Sequence, residues 1–384
     1  MSAENLRVAE FSAMIETLCS HTLVAPGKNL RRLLVINPRA GGFTIASRWK
    51  KHRAVLETYV NRARSAPLRG GGGPVVLPGG TPGCFLTGGP GDALAAVRSL
   101  LELAERSGAG QGGAEDFFLI ITAGGDGTSL EVQSALYHAP AGIRERFAVV
   151  RLPMGTGNDG ADAPELEGAL ELLTGPVDIV KSRALRLLTA TAGKGPFLAF
   201  NILSVGLDAF VTHMTNRMKG KLPGDSYKLW VDIAALLYDR IYTVGPLDLR
   251  ALDAEGREVQ RFRRNLLLLA VGASGRRTYG SHKKILPDDR NVCALDQMSL
   301  LRKLALKELF SDGTHVDKPE ARLFSASRVE FSGRYPILAQ MDGETVLLRP
   351  EDFPAAIELT EPVIPLLKPR PVSAQESENI YRRQ

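Results

Sequence analysis

The chain has 384 residues, 44% hydrophobic and 23% charged, which excludes disordered, fibrous and low-complexity classes and suits two domains with separate cores. The formal net charge of +6 is concentrated in one stretch. Arg257, Arg261, Arg263, Arg264, Arg276, Arg277, Lys283, Lys284 and Arg290 there face only Glu258, Asp288 and Asp289, a pattern that favours phosphates, nucleic acid or an anionic membrane and equally describes a solvated face.

The N-terminus carries Glu4, Arg7, Glu10 and Glu16 and lacks the apolar run of a signal peptide. The longest apolar runs, Phe117–Ile121 and Leu266–Val271, fall far short of the ~20 residues of a membrane-spanning helix. Cys19, Cys84 and Cys293 are dispersed, which argues against a disulfide scaffold or zinc ribbon and fits a reducing cytosol.

Residues 1–27 read as a helical extension, with Val8, Phe11, Ile15 and Leu18 at helical spacing, packing on the first domain without chemistry of its own. From Leu33 strand and helix alternate. Leu33–Ile36 is a short buried strand that runs into Asn37-Pro38-Arg39-Ala40-Gly41-Gly42 and a basic helix. Residues 69–91 hold most of the clustered glycine and read as a loop insertion, with Val75–Leu77 and Cys84–Leu86 as candidate short strands. Asp92 can cap the next helix, and Phe117–Thr122 and Ala148–Leu152 are further strands. Strands alternating with helices imply a parallel, covered sheet. After about Gly175 the runs Arg186–Ala190, Phe197–Leu203, Leu247–Leu252, Leu266–Val271, Arg328–Phe331 and Ala356–Leu359 are strand-like, interrupted by helices near Asp208–Met218 and Tyr227–Tyr238. The expected architecture is an α/β nucleotide-binding domain with a mostly parallel sheet over 28–174. A mostly antiparallel β-sandwich follows over 175–362, then a tail over 363–384.

Gly124-Gly125-Asp126-Gly127-Thr128 directly follows a strand and opens a helix. Glycines there let backbone N–H groups approach phosphate oxygens at a helix N-terminus. Asp126, an acceptor among donors, suits a metal, a water or a ribose. Leu152-Pro153-Met154-Gly155-Thr156-Gly157-Asn158-Asp159 follows another strand, and Thr156 and Asn158 offer small directional hydrogen bonds. With the Asn37 loop, three strand-end loops of this kind in one domain argue for a nucleotide site. Neither a P-loop, a dinucleotide fingerprint nor the protein-kinase motif set is present.

Asn37-Pro38-x-x-Gly41, Gly124–Thr128 and Leu152–Asp159, in that order, resemble the bacterial lipid kinases of the diacylglycerol kinase catalytic-domain family, which are related to sphingosine kinases and more distantly to NAD kinases and phosphofructokinases. The resemblance continues through Thr87 and Gly91-Asp92-Ala93, the Asn-x-x-Ser-x-Gly-x-Asp-Ala pattern of Asn201–Ala209, and Asp342-Gly343-Glu344. It covers Leu33 to about Pro369 and implies ATP and Mg²⁺ in a cleft between an α/β domain and a β-sandwich. It implies that Asn37, Pro38, Gly41, Thr87, Gly124, Gly125, Asp126, Gly127, Thr128, Gly155, Thr156 and Asn158 hold ATP. Asp126 and Glu344 would serve magnesium. Asp342 would take the proton of a lipid hydroxyl, with Glu344 beside it. Without the resemblance, Asp342-Gly343 reads as a type I′ hairpin turn.

The sequence departs from the family at Ala40, usually Ser, and at Asp162, where an Arg usually follows the Asn-Asp pair. A glycine cluster is replaced around Tyr279–His282. A downstream Asp-Asp-Gly is lost near Val292–Ala294, with Asp288 and Asp289 the available substitutes for a structural metal site. His213, His282 and His315 are isolated, and Trp49 and Trp230 suit packing. The 214–218 region reads as a membrane-facing or a plain packing helix.

The resulting expectation is a cytoplasmic, peripherally membrane-associated, ATP-dependent kinase acting on diacylglycerol or a similar lipid. Its partners are a lipid substrate and an anionic membrane surface, with a homodimer admitted. No nucleic-acid partner is expected; that reading of the basic stretch is a third possibility weakened by its few aromatics. The alternatives are an NAD-kinase-like phosphotransferase and a catalytically silent lipid or nucleotide sensor.

Overall fold

A computed structural model of the protein describes residues 2–65, 73–107, 115–155, 158–218, 238–279, 283–307 and 309–370. The chain divides into two units, Met1–Lys181 with Ile364–Gln384, and Ser182–Val363.

In the first unit the order is α1 (Ala3–Cys19), β1 (Asn29–Ile36), α2 (Gly41–Thr44), α3 (Ala46–Arg64), β2 (Cys84–Leu86), α4 (Asp92–Ser107) and β3 (Asp116–Gly124). There follow α5 (Asp126–His138), α6 (Ala141–Arg144), β4 (Phe147–Pro153), α7 (Leu166–Thr174) and β5 (Val177–Ser182). The apolar run of β3 is buried from Phe117 onward, as a strand covered on both faces must be, and it pairs in parallel with β1 and β4. Helix α1 buries Val8, Phe11, Ile15 and Leu18 against this unit's core, and Phe11 meets Phe43 edge-on at 5.2 Å. Trp49 packs in the same core.

The 363–384 segment, expected as a tail, instead begins as a strand, β19 (Ile364–Pro369), whose Leu366 pairs with Val149 of β4. The sheet order is β2-β1-β3-β4-β19-β5, so residues past 174 and past 363 complete the first domain. Ile364, Leu366 and Leu367 are core residues, but Pro365 and Pro369 break the run and disguise it as a loop. Val75–Leu77 forms no strand; only Pro74 bridges to Arg32.

The second unit runs β6 (Leu185–Leu188), β7 (Phe197–Ala199), β8 (Ile202–Gly206), α8 (Leu207–Met218), α9 (Tyr238–Ile241), β9 (Pro246–Leu252) and β10 (Glu258–Gly272). Next come β11 (Arg277–Tyr279), β12 (Lys283–Leu286), β13 (Val292–Asp296), α10 (Leu300–Lys307) and α11 (Leu309–Asp312). It closes with β14 (Ala321–Phe324), β15 (Arg328–Ser332), β16 (Ile337–Met341), β17 (Glu344–Leu348) and β18 (Ala355–Leu359). The pairing is antiparallel, and the 15-residue β10 belongs to two halves: Glu258–Asn265 pairs with β9, and Leu268–Gly272 with β8 and β13. Leu249, Val329 and Ile357 from one half share a core with Val205, Leu269 and Met341 from the other. The helix expected near Tyr227–Tyr238 lies outside the described residues except for Tyr238, and Trp230 and His282 also lie outside them. Helix α8 packs through Ala209, Phe210 and Met214, so it is a packing helix. Among the described residues no helix is long and apolar enough to cross a membrane.

The three cysteines are free and buried, and burial pushes the Cys19 and Cys293 thiols up to about 12. His315 is fully buried, and its pKa is lowered by that burial.

Asp162, where the family usually has Arg, has a local explanation. Its carboxylate accepts the backbone N–H and Nη2 of Arg151, both at 2.7 Å, and Nε at 3.2 Å. Gln133 accepts from Arg151 Nη1 at 3.3 Å. Side-chain exposure is 4% for Arg151 and 0% for Asp162, so removing either partner strands a buried charge. Asp162→Ala should cost about 3–5 kcal/mol, measured by denaturant unfolding, and Arg151→Leu/Asp162→Leu should recover most of it. A loss under 1 kcal/mol for Asp162→Ala would mean that the pair is not load-carrying.

Candidate active site

In the first unit, the loops after β1, β3 and β4 are stitched together by backbone. Asn37 donates its N–H to Ala123 O at 3.0 Å, and its side-chain oxygen accepts the Arg39 N–H at 3.0 Å, folding Pro38 into a turn. Gly42, following the buried Gly41, donates to Met154 O at 2.8 Å. Helix α5 starts at Asp126, with Gly125 as an extended N-cap that offers no side chain. Asp126 Oδ1 accepts the Gly160 N–H at 2.9 Å, tying the start of α5 to the loop after β4.

The glycines divide by cause. A Cβ on Gly155 would sit 2.6 Å from Gly125 Cα and 2.8 Å from Asn158 Oδ1. One on Gly124 would meet Thr128 Oγ1 at 2.5 Å. These two are glycine because the chain itself comes too close. Gly125 has room, its nearest neighbour being Gly155 Cα at 3.7 Å, and a Cβ on Gly127 would meet nothing within 4 Å. Nothing among the described residues requires glycine at 127, in the first turn of a helix that alanine would favour.

Asn158 adopts φ +59, its Nδ2 donates to Pro153 O at 3.2 Å, and its buried Oδ1 has no partner among the described residues. Thr156 and Gly157 lie outside the described residues. Thr87 is buried and donates its N–H to Ile36 O at 2.8 Å, so that N–H is not available to a nucleotide. The glycine-rich turn after it is already filled by carboxylates. Asp92 accepts from Gly88 and Gly89, and Glu131 of α5 accepts from Gly91, Ala93 and Leu94 at 2.8–3.2 Å. Sequence reasoning stopped at Thr128 and missed Glu131, three residues on; the acid there was the available signal.

In the second unit, Asp342 and Gly343 form a two-residue turn between β16 and β17, with φ of 46 and 102. The Asp342 carboxylate is buried and accepts the backbone N–H groups of Phe200, Asn201 and Ile202, the last at 2.9 Å. Glu344, the first residue of β17, is exposed. Gln340, fully buried, braces the turn: its Oε1 accepts the Gly343 N–H at 3.1 Å and its Nε2 donates to Ser204 Oγ at 2.9 Å. Ser204 Oγ donates to Asp208 at 2.6 Å. The Asn201–Ala209 pattern is thus a scaffold for the Asp342 turn, and Gly206 (φ +96) is required because a Cβ would lie 2.5 Å from Leu267 O. His213 Nδ1 lies 3.1 Å from Thr345 Oγ1.

The basic stretch is largely neutralised. Arg257, Arg261, Arg263, Arg276 and Arg290 pair with Asp253, Glu258, Asp248, Asp289 and Asp288. Asp288 and Asp289 are therefore engaged by arginines, which weighs against their use as metal ligands. Among the described residues no group of three His, Cys, Asp or Glu gathers as a metal cage.

Residues 76–188 match the family model of the diacylglycerol kinase catalytic domain. Proteins named probable YegS-like lipid kinases are 35% identical over 120 residues in Xanthomonas euvesicatoria pv. vesicatoria and 24% identical over 248 residues in Pectobacterium atrosepticum. The matches cover 31% and 63% of this chain, and the chain spans 38% and 78% of those relatives' lengths. A solved structure from Bacillus anthracis str. Sterne, assigned as a diacylglycerol kinase, aligns over 88% of this chain and 96% of its own with a TM-score of 0.53 and 17% identity, a likeness of fold. Residues 76–188 thus match the catalytic domain of the diacylglycerol kinases, and the chain is similar to lipid kinases of that family, which are phosphotransferases.

The glycine assignment is directly testable by thermal melting. Gly155→Ala should lower the melting temperature because two backbones must part. Gly127→Ala should match or exceed the parent, by up to about 1 kcal/mol of helix propensity. Equal melting of the two variants would remove the distinction.

Proposed function

We propose that the protein transfers the γ-phosphate of ATP to the hydroxyl of diacylglycerol or a similar lipid. The observation that carries this reading is Gly127, a glycine at the N-terminus of α5 that no contact with the described residues requires. It leaves backbone N–H groups at the positive end of a helix open to a phosphate. Asn158 supports it, because its unpartnered buried Oδ1 is an acceptor that a nucleotide hydroxyl or amino group would satisfy. Asn37, Pro38, Gly41, Thr87, Gly124, Gly125, Thr128, Gly155 and Thr156 complete the nucleotide loops. ATP would bring the transferable phosphoryl group and magnesium would neutralise its charge, with Asp126 the carboxylate of the first unit that would serve the ion. A divalent ion of this kind is commonly held by one or two carboxylates plus the phosphates themselves, so a protein-only cage is not needed.

A lipid hydroxyl needs an acceptor for its proton as the P–O bond forms. Of the two carboxylates expected to act, Asp342 has its oxygens occupied by backbone N–H groups, whereas Glu344 stands exposed. This supports a division in which Asp342 holds the turn and Glu344 accepts the proton. Within the 257–290 stretch, Arg264 and Lys283 have no salt bridge among the described residues, and they are the candidates for contact with an anionic membrane.

Labelled-ATP turnover against diacylglycerol, a sphingoid base, phosphatidylglycerol and NAD tests the reaction, and turnover of NAD alone would replace it. Glu344→Gln should lower kcat by about 10²–10⁴-fold with unchanged melting, and Asp342→Asn should lower both activity and melting temperature, because an amide cannot accept from all three N–H groups. Near-normal turnover by Glu344→Gln in a folded variant would move the base elsewhere. Gly127→Ala should keep the fold and weaken ATP binding; unchanged affinity would take this helix start out of the site. Vesicle binding should weaken with salt, since exposed charges are screened beyond about 10 Å at 0.1 M, and salt-independent binding would defeat the membrane contact.

A further inference from the structure

The basic helix α3 begins beside the nucleotide loops, and nothing in the proposed reaction uses its charge. In its first two turns Lys51 pairs with Glu165, and Arg53 with Glu10 and Glu57. Lys50 is exposed and Arg48 half-buried, and neither has an acidic partner among the described residues. Of these two, Arg48 reaches a nucleotide loop: its Nη1 donates to Gly155 O at 3.4 Å. That is longer than the usual N–H···O range of about 2.7–3.2 Å, so the bond is weak. The other donors of its guanidinium fork are not sealed in the interior, because no nitrogen of Arg48 is both buried and unpartnered.

The place of this side chain is set by its neighbours. Trp49, next in sequence, is buried in the first unit's core beside Phe43, with ring centroids 6.1 Å apart, which fixes the rotation of α3. Gly42 donates to the carbonyl of Met154, the residue before Gly155. Gly155 lies against Gly125, the N-cap of α5, closely enough that a Cβ on it would fall 2.6 Å from Gly125 Cα. The Arg48 guanidinium therefore stands where the loops after β1, β3 and β4 converge. The arginines within those loops are less suited to an anion. Arg151 is consumed by Asp162, and Arg39 is exposed, where its charge is screened by water and salt.

We propose that Arg48 binds the phosphate chain of the nucleotide, exchanging its long contact with Gly155 O for charge-assisted hydrogen bonds to phosphate oxygens. A planar guanidinium matches a phosphate in shape as well as charge. The assignment rests on the reading of these loops as the nucleotide site, and it adds a cation from a helix that lies outside the glycine-rich motifs.

The probes are ATP and inorganic triphosphate, each with magnesium chloride, titrated by calorimetry into the full chain without lipid. The parent should bind one molecule of either. Arg48→Gln should weaken both by a similar factor, about tenfold to hundredfold, the worth of hydrogen bonds to a charged group. Its melting temperature should be unchanged, since among the described residues Arg48 makes one long bond. Arg48→Lys should fall between, and Arg48→Ala, with the best helix former, replaces Arg48→Gln if that variant fails to fold. Lys50→Gln removes the same charge from the same helix and should change neither affinity by more than about threefold. Unchanged affinity for both probes in folded Arg48→Gln or Arg48→Ala, an equal loss in Lys50→Gln, or a loss that comes with a lower melting temperature would each overturn the assignment. Binding of inorganic triphosphate but not of ATP by the parent, lost in Arg48→Gln, would uphold Arg48 as a phosphate ligand and overturn the nucleotide reading. Binding of neither by the parent would overturn both.

Discussion

The loops of both units depend on carboxylates that hold the backbone N–H groups of neighbouring segments. Asp92 and Glu131 close the start of α4, Asp126 ties α5 to Gly160, and Asp342 gathers three consecutive N–H groups of the 200–202 stretch. At the Asp342 turn each bond satisfies a buried donor that would otherwise be costly, by about 1–3 kcal/mol apiece. The consequence is rigidity where strands end and helices begin, which is where a parallel sheet presents its ligand-binding loops. An acid in a glycine-rich motif can therefore be structural, chemical or both, and its hydrogen bonds separate these roles where residue type does not.

The same distinction applies to glycine. Gly124 is demanded by the Thr128 side chain, Gly155 by the Gly125 backbone and Gly206 by the carbonyl of Leu267, so their presence in a motif says nothing direct about a ligand. Gly127 is different because the surrounding space is open. A motif read as a block assigns all these glycines to phosphate; the contacts divide the block into residues that build the loop and one that leaves it accessible.

The strands with long apolar runs were legible from sequence because burial on both faces leaves no other pattern: β3, β4 and the inner half of β10 lie where Phe117–Thr122, Ala148–Leu152 and Leu266–Val271 pointed. Strand β19 was not legible. Its prolines suppress the strand signal, and its place between β4 and β5 depends on pairing with a residue more than 200 positions away. The loops were found as motifs, but Glu131 and Gln340 were not, because each acts through a partner distant in sequence, and the Arg151–Asp162 pair spans a loop whose course no local pattern gives. The basic stretch misled for a related reason. A count within residues 257–290 leaves out Asp248 and Asp253, which strand pairing and a turn bring to Arg263 and Arg257.

The turn at Asp342-Gly343 satisfies both of its sequence readings at once. Left-handed backbone at both positions is what a two-residue hairpin requires, and aspartate tolerates it better than most side chains. A hairpin turn alone does not need a buried carboxylate, nor a buried glutamine bracing its glycine. Asp342 is coupled to the 200–202 backbone and Gln340 to Ser204, so the position of Glu344 is set from two directions by residues of the Asn201–Ala209 pattern. An exposed side chain at the first position of a strand gains a defined origin only if the turn before it is fixed. That is the physical link between two motifs more than 130 residues apart, and it gives the acidic tripeptide a reason to co-occur with the Asn-x-x-Ser-x-Gly-x-Asp-Ala pattern.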